Sequence, residues 1–479
     1  VSIRTPDHQP LAQPRQFSPR IVLVSTSLAV FAVFLDTTIG FVAFPAISAT
    51  FRSSAPATLS WVLNAYTLVF AALLIPAGRL ADRVGRRKMF LIGVIAFTMG
   101  SMLCGLAPNV GFLITAEMLE AVGAAILVPA SLALVLQTFP REKIPVAVAI
   151  WGAIGAVAGA AGPTLGALVV DNLSWRWAFY INLPVGLFSL FLGRRVLPEG
   201  REANPGRLPD PLGVAMLAGG IALVTYAIVQ TNTWGWASAR FSGTVTGGLV
   251  LLGLFVVRCS RVDNPVIRLS LFRANNFRWA NAAMVIFAIG FNAMFLGNVL
   301  FLTRVWGYSI LRAGLAISVG PLIVAATAPM FGKLAGRIGQ RRLLMPGGLL
   351  WAAGGLFLIA RATTTPDYVG TYLPTVAFTG LGVALCLPQL SSAAVQGLPP
   401  DQFGAGSAFS QAVRNLGSTF GVAMVIAFTT GLTAASALDG FHRVWGLLVT
   451  CGVLVSLLSM RLVRVTAPVN PVMAAATAH

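Results

Sequence analysis

Four ionisable side chains stand inside stretches that are otherwise apolar: Asp36, Glu117, Glu120 and Arg414. A charge at the centre of a bilayer costs about 2.5 to 3.5 kcal/mol on insertion scales, so such residues normally face a water-filled cavity or a partner. The chemistry open to buried carboxylates of this kind is reversible binding of a proton or a cation. Glu117 and Glu120, at i and i+3, share one helix face. At a rise of ~1.5 Å per residue, Glu117 lies roughly 10 Å and Glu120 about 15 Å below the outer end of its helix. Asp36 falls about 6 to 9 Å below the outer surface of a ~30 Å core. All three acids therefore belong to the outer half of the membrane, and Arg414 lies about 14 Å in from the cytoplasmic end of its own helix. Desolvation and mutual repulsion favour uptake of a proton by such acids. Blander roles stay open: a structural hydrogen bond for Asp36, neutral interhelical contacts for Glu117 and Glu120, and a backbone-carbonyl contact or inner gate for Arg414. The histidines, His8, His442 and His479, fall in expected loops or tails, so no helix carries a histidine relay. Cys104, Cys259, Cys386 and Cys451 are scattered without metal-ligand spacing. Neither a metal nor a cofactor is expected, and nothing supports an enzymatic activity.

The elements that position these residues are long apolar segments. The chain is 57% apolar and 10% charged, and its apolar runs have roughly the 20 residues that a membrane-spanning helix needs. Fourteen are read, over about 20–43, 58–78, 89–108, 110–138, 145–169, 177–196, 212–231, 242–258, 279–303, 312–331, 343–361, 369–396, 404–433 and 440–462. The net charge of +19 is not concentrated on one element as nucleic-acid binding requires. It marks topology instead: 25 of the 33 Lys and Arg fall on one side and seven on the other, which places both ends in the cytoplasm of a multi-pass cell-membrane protein. The loop at 397–403 carries no cation and is the weakest point of that pattern. With 30 Arg against 3 Lys and many Ala, Gly and Val, the composition points to a GC-rich bacterial genome.

One loop recurs. Gly78-Arg-Leu-Ala-Asp82-Arg83-Val-Gly85-Arg86-Arg87-Lys88 has a weaker copy in Gly332-Lys333-Leu-Ala-Gly336-Arg337-Ile-Gly339-Gln-Arg341-Arg342, so the chain consists of two related halves. The expected division is a cytoplasmic tail over 1–20, a six-helix half over 21–197 and a linker with two extra helices over 198–278. A second six-helix half over 279–463 and a cytoplasmic tail over 464–479 follow. Residues 1–20 are polar and lack the apolar core of a cleavable signal. No Gly-x-x-x-x-Gly-Lys-Ser/Thr loop is present, so ATP is not handled by this chain.

The glycine, the aspartate four residues on and the following Arg-x-Gly-Arg-Arg resemble the cytoplasmic signature of the major facilitator superfamily; in the second copy Gly336 stands where the aspartate belongs. Fourteen helices with two extra in the centre resemble the larger branch of the drug:proton antiporters. So do Leu35-Asp36-Thr37-Thr38, with Phe41 in place of the branch's asparagine, Ser60-Trp61-Val62 with Tyr66, and the thirteenth-helix run Ala405-Gly406-Ser407 to Gln411, Arg414, Asn415, Gly417 and Gly421. The fifth segment steps through Gly152, Gly155, Gly159, Gly162, Pro163 and Gly166. This side-chain-free stripe lets another helix approach closely. With Asp171, Trp175, Arg176 and Asn182 following, it resembles the exporter motif of the superfamily. The resemblance implies an all-α integral membrane protein of the major facilitator fold, with the glycine face as the seam on which the halves rock. It implies that Gly78, Asp82, Arg83, Gly85, Arg86 and Arg87 form a cytoplasmic gating loop. It also brings the first and fourth helices, and hence the three acids, together on a central cavity. One departure stands out: where relatives carry Arg-x-x-Gln-Gly in the fourth helix, this chain has Glu117, Glu120 and Ala121.

The expected function is proton-coupled efflux of amphipathic, cationic drugs or small molecules by alternating access, with Asp36, Glu117, Glu120 and Arg414 as the coupling residues. The partners are a small-molecule substrate, protons and the lipid bilayer, with no nucleic acid and the chain a monomer. Two alternatives stand beside it: a dedicated exporter of an endogenous metabolite, lipid or siderophore, without proton coupling because the fourth-helix arginine is missing, and a non-transporting membrane sensor.

Overall fold

A computed structural model describes residues 18–140, 143–200, 208–396, 398, 403–431 and 436–463. Most of the tail expected over 1–20, all of the tail over 464–479 and most of the cation-free loop lie outside them. The chain is all-helical, and thirteen helices among the described residues are long and apolar enough to cross a membrane. In the first half these are α1 (Pro19–Thr50), α2 (Pro56–Val84), α3 (Arg86–Gly105), α4 (Val110–Thr138) and α5 (Ile144–Asn172). The sixth crossing, expected as one helix over 177–196, is instead divided into α6 (Trp177–Tyr180) and α7 (Asn182–Val196), which is why thirteen long helices appear where fourteen segments were read. The middle contains α8 (Pro211–Val229), a single turn α9 (Thr231–Trp234) and α10 (Ala239–Arg261). The second half comprises α11 (Asn275–Leu300), α12 (Ile310–Ile338), α13 (Arg341–Arg361), α14 (Leu373–Val395), α15 (Phe403–Thr429) and α16 (Ala437–Ser459).

Local chemistry sets the helix ends. Proline opens α1, α2 and α8, where its missing N–H costs nothing. Asn109, Asp210, Ser238 and Ser309 each accept a hydrogen bond from a first-turn amide. The repeat shows in the backbone: Gly85 (φ 127°) ends α2 and Gly339 (φ 90°) ends α12 at matching places in the two loop copies, a conformation that L side chains rarely adopt.

The two six-helix halves pack by the same scheme. α1 lies on α5, α2 on α4 and α3 on α4; correspondingly α11 lies on α15, α12 on α14 and α13 on α14. The halves meet where α2 crosses α15 and α5 crosses α12, with α1 touching α11. The pair α8 and α10 leans on the flank formed by α2 and α15 through Leu68, Leu217, Ile221, Phe255, Leu416 and Phe420.

The core is asymmetric across the membrane. At the ends of the helices remote from the basic loops, one apolar cluster runs through both halves, joining Leu35, Ile39, Phe41 and Phe44 to Leu296, Leu300, Ile317 and Trp445. The rings of Phe41 of α1 and Phe295 of α11 lie 5.4 Å apart within it, tilted at 54° to each other. Toward the basic loops the next two clusters are each confined to one half, while α2 stays packed on α15, with Ile75 set against the cluster that holds Phe409 and Val413. A Cβ built on Gly152 of α5 or on Gly332 or Gly336 of α12 would have no neighbour within 4 Å. The halves therefore share one continuous core at the face opposite the basic loops, and nearer the loops they are joined chiefly along α2 and α15.

Candidate functional site

The acids converge inside the first half. α1 brings Asp36 and α4 brings Glu117 and Glu120, buried at 7%, 5% and 0% exposure. The break between α6 and α7 supplies their connection. Asn182, the first residue after the break, donates from Nδ2 to Asp36 Oδ1 at 2.8 Å and to Ser101 Oγ at 3.0 Å. Ser101 in turn donates to the Phe179 carbonyl of α6 at 2.9 Å. Cys104, one turn further along α3, donates to Glu120 Oε2 at 3.5 Å. Gly100 permits this geometry: a Cβ there would stand 2.6 Å from the Glu120 backbone.

Electrostatically the site is one-signed. Asp36, Glu117 and Glu120 act on one another, and all three act on the Tyr66 ring of α2. Glu120 Oε1, Asn182 Oδ1 and the Tyr66 hydroxyl are buried without a hydrogen-bond partner. Such atoms lose their hydration without recompense, a cost of about 1 to 3 kcal/mol each. This arrangement can bind a proton or a small cation, because added positive charge satisfies both the free oxygens and the mutual repulsion.

Arg414 does not join them. It is half-buried in α15 and has no hydrogen-bond or ion-pair partner among the described residues. The four residues expected to act together are thus three acids in the first half and a separate cation in the second.

The basic loop is tied within its own half. Asp82 pairs with Arg86 at 2.9 Å, and Arg86 also reaches Gln137 Oε1 at 3.1 Å. The Arg86 amide donates to the Gly200 carbonyl at 2.9 Å, and Arg87 donates to the Arg194 carbonyl at 2.6 Å. Gly78 faces Pro129 of α4, where a Cβ would sit in ordinary contact at 3.4 Å. Arg83 is exposed.

The glycine stripe of α5 divides between two surroundings. A Cβ on Gly155, Gly162 or Gly166 would stand 3.0 Å from Phe34, 1.8 Å from Thr38 Oγ1 or 3.1 Å from Ile39, all on α1 of the same half. Gly152 and Gly159 meet nothing within 4 Å. Contact with the other half lies on the neighbouring face of α5. A Cβ on Gly314 of α12 would meet Ala167 at 2.3 Å and the Pro163 carbonyl at 2.6 Å, and the Thr164 and Ser318 hydroxyls are 2.5 Å apart.

Reading the sequence gives no coupling role to Asn182, Ser101, Cys104 or Tyr66. Asn182 and Ser101 are polar residues within apolar spans, and that rarity is the signal that could have marked them.

The model of the Major Facilitator Superfamily matches residues 26–422. Among curated relatives, the chain is 36% identical over 406 residues to the multidrug resistance protein Stp of Mycobacterium tuberculosis (strain CDC 1551 / Oshkosh), covering 85% of this chain and 75% of that protein. It is 34% identical over 421 residues to the cephamycin export protein CmcT of Amycolatopsis lactamdurans, covering 86% of each. Among solved structures, a D-xylose-proton symporter superposes with a TM-score of 0.68 at 14% identity, covering 93% of this chain and 98% of that one, a likeness of fold.

Proposed function

We propose that this chain, which belongs to the Major Facilitator Superfamily, is a secondary active exporter that moves amphipathic small molecules out of the cell in exchange for protons. The observation that carries the reading is the buried trio Asp36, Glu117 and Glu120, with no paired cation among the described residues, set in one of two halves that share a core at the face opposite the basic loops. Taking up a proton relieves the repulsion among the acids, and a positive group on the cargo can do the same, so the two compete for one site. On this reading the face bearing the basic loops is cytoplasmic, as are both termini. The chain works as a monomer with lipid around it. Rocking about the contacts of α5 with α12 and of α2 with α15 would expose one face and then the other.

Within that cycle each named part has a task. Asn182 holds Asp36 and Ser101 in register, so that a change in the charge of Asp36 is felt at the break between α6 and α7. The Asp82–Arg86 pair and its links to Gln137, Gly200 and Arg194 brace the cytoplasmic ends of the first half as one body. The glycines packed on α1 hold α5 to the same body, so that the halves move as units.

Relatives named for multidrug resistance and for export of a single antibiotic both support an export direction. The second of these also favours a narrower reading, a dedicated exporter of one metabolite. Proteoliposomes loaded with an amphipathic fluorescent dye test the proposal. An imposed pH gradient is expected to accelerate dye movement several-fold over protein-free vesicles. Flux that ignores the gradient would remove the proton exchange, and no flux at all would leave a sensor.

A further inference from the structure

We infer that Arg414 is the binding site for an anionic group of the cargo, which makes the transported class amphoteric: a molecule carrying a carboxylate or similar acid beside its apolar or cationic part. The inference rests on the exporter reading for its biological meaning.

The faces of α15 are assigned by what they touch. Gly417 and Gly421 press on the backbone of α11, where a Cβ would meet the Val285 carbonyl at 2.7 Å and the Ile289 carbonyl at 2.3 Å. Thr419 bonds to Thr67 of α2 at 2.9 Å. Leu416 and Phe420 pack on α8 and α10. At about 100° per residue, the arc left between α11 and α2 carries Ser407, Gln411, Arg414, Asn415 and Ser418. That arc is polar from Ser407 to Ser418 and apolar beyond, at Val422 and Val425. Its exposure falls with depth: Ser407 is exposed, Gln411 and Arg414 are half-buried and Ser418 is buried. At its deep end Ser418 accepts a hydrogen bond from Asn292 at 2.6 Å.

Arg414 is therefore a half-buried guanidinium on the arc of α15 that neither α11 nor α2 covers, set about 17 Å along its helix from Phe403. No acid occurs in α11, α14 or α15, and the acid of α2, Asp82, is bound to Arg86. The acids of the first half do not pair with it. Beside it, Asn415 Nδ2 is buried without an acceptor. A cation with five donors and an adjacent amide donor, with no acceptor supplied among the described residues, is complementary to an incoming carboxylate.

The test uses the full chain purified in detergent and two dyes that differ only in a carboxylate, rhodamine B and its ethyl ester, titrated by fluorescence anisotropy. The native chain is expected to bind the acid about tenfold more tightly than the ester, the scale of one charge-assisted pair. Arg414→Gln should abolish that preference and Arg414→Lys should keep part of it, since a point charge replaces a fork. Benzoate should displace the acid from the native chain and leave the ester bound. Equal affinities in the native chain, no saturable binding of the acid, or a preference that survives Arg414→Gln would each overturn the inference. Should Arg414→Gln not yield monodisperse protein, Arg414→Lys and the benzoate competition decide. Binding requires no flux, so an intact preference in a chain that fails to respond to a pH gradient would count against the exporter reading alone.

Discussion

Asn182 donates to Asp36 at 2.8 Å across the first half, and the same amide nitrogen reaches Ser101. One side chain thus ties α1, α3 and the start of α7 at the level of the acids. Removing it in Asn182→Ala leaves the acceptors of a buried network unpaired, which is expected to cost about 1 to 3 kcal/mol of stability. It should also weaken gradient-driven efflux more than downhill efflux. Thermal unfolding in detergent and paired flux assays check both; an unchanged ratio of the two fluxes would reduce Asn182 to packing.

The α5 glycines should not respond alike. Gly162→Ala forces a methyl group to within 1.8 Å of Thr38 Oγ1 and is expected to lower stability by about 1 to 3 kcal/mol. Gly159→Ala enters open space and gains helix propensity, so its stability should be unchanged or raised by up to about 1 kcal/mol. Melting temperatures of the two variants give the answer directly.

Gly314 lies at the contact between halves, with Ala167 2.3 Å from where its Cβ would stand. Gly314→Val should prise the sealed face open and shift the population toward the opposite conformation. Phe41, sealed against Phe295, reports this. A cysteine placed at position 41 should become reactive to an impermeant maleimide from outside in the Gly314→Val background, while the four native cysteines stay buried.

Asp210 caps α8 through the Gly213 amide at 2.9 Å and grips Arg258 of α10, fastening the extra helix pair at one end. The hydrogen bonds from Arg258 hold its carboxyl below the usual carboxylate range. A depressed carboxyl stabilises the fold above its unfolded value, and the contribution disappears as the pH falls through the folded one. Asp210→Ala should cost about 1 kcal/mol near neutrality. The difference from the native chain should shrink on acidification into the range where Asp210 protonates, which denaturation at several pH values would show.

Much of this was legible beforehand because hydrophobic length and charge position act locally. The twofold plan could be read from the basic loop, and Gly85 and Gly339 mark the same backbone turn in both copies. That Asp36 and Glu120 fall within long apolar helices could be read from the apolar runs alone. What the sequence could not supply was angular: which neighbour each face meets. The glycine stripe reads as one surface, yet Gly162 serves α1 while Pro163 and Thr164 serve α12. The sixth segment is divided between Tyr180 and Asn182 because Pro184 has no N–H for the Tyr180 carbonyl four residues back, a signal present in the sequence; that Asn182 then reaches Asp36 and Ser101 is set by tertiary packing.

The central claim is that the carboxylates of α1 and α4 couple cargo to protons, and Glu120, fully buried with one oxygen unpartnered, is its sharpest probe. The decisive measurement compares the native chain with Glu120→Gln in proteoliposomes, following dye efflux with and without an imposed pH gradient. The account predicts that Glu120→Gln, permanently neutral, retains downhill efflux and loses the acceleration by the gradient. A variant as responsive to the gradient as the native chain would contradict it.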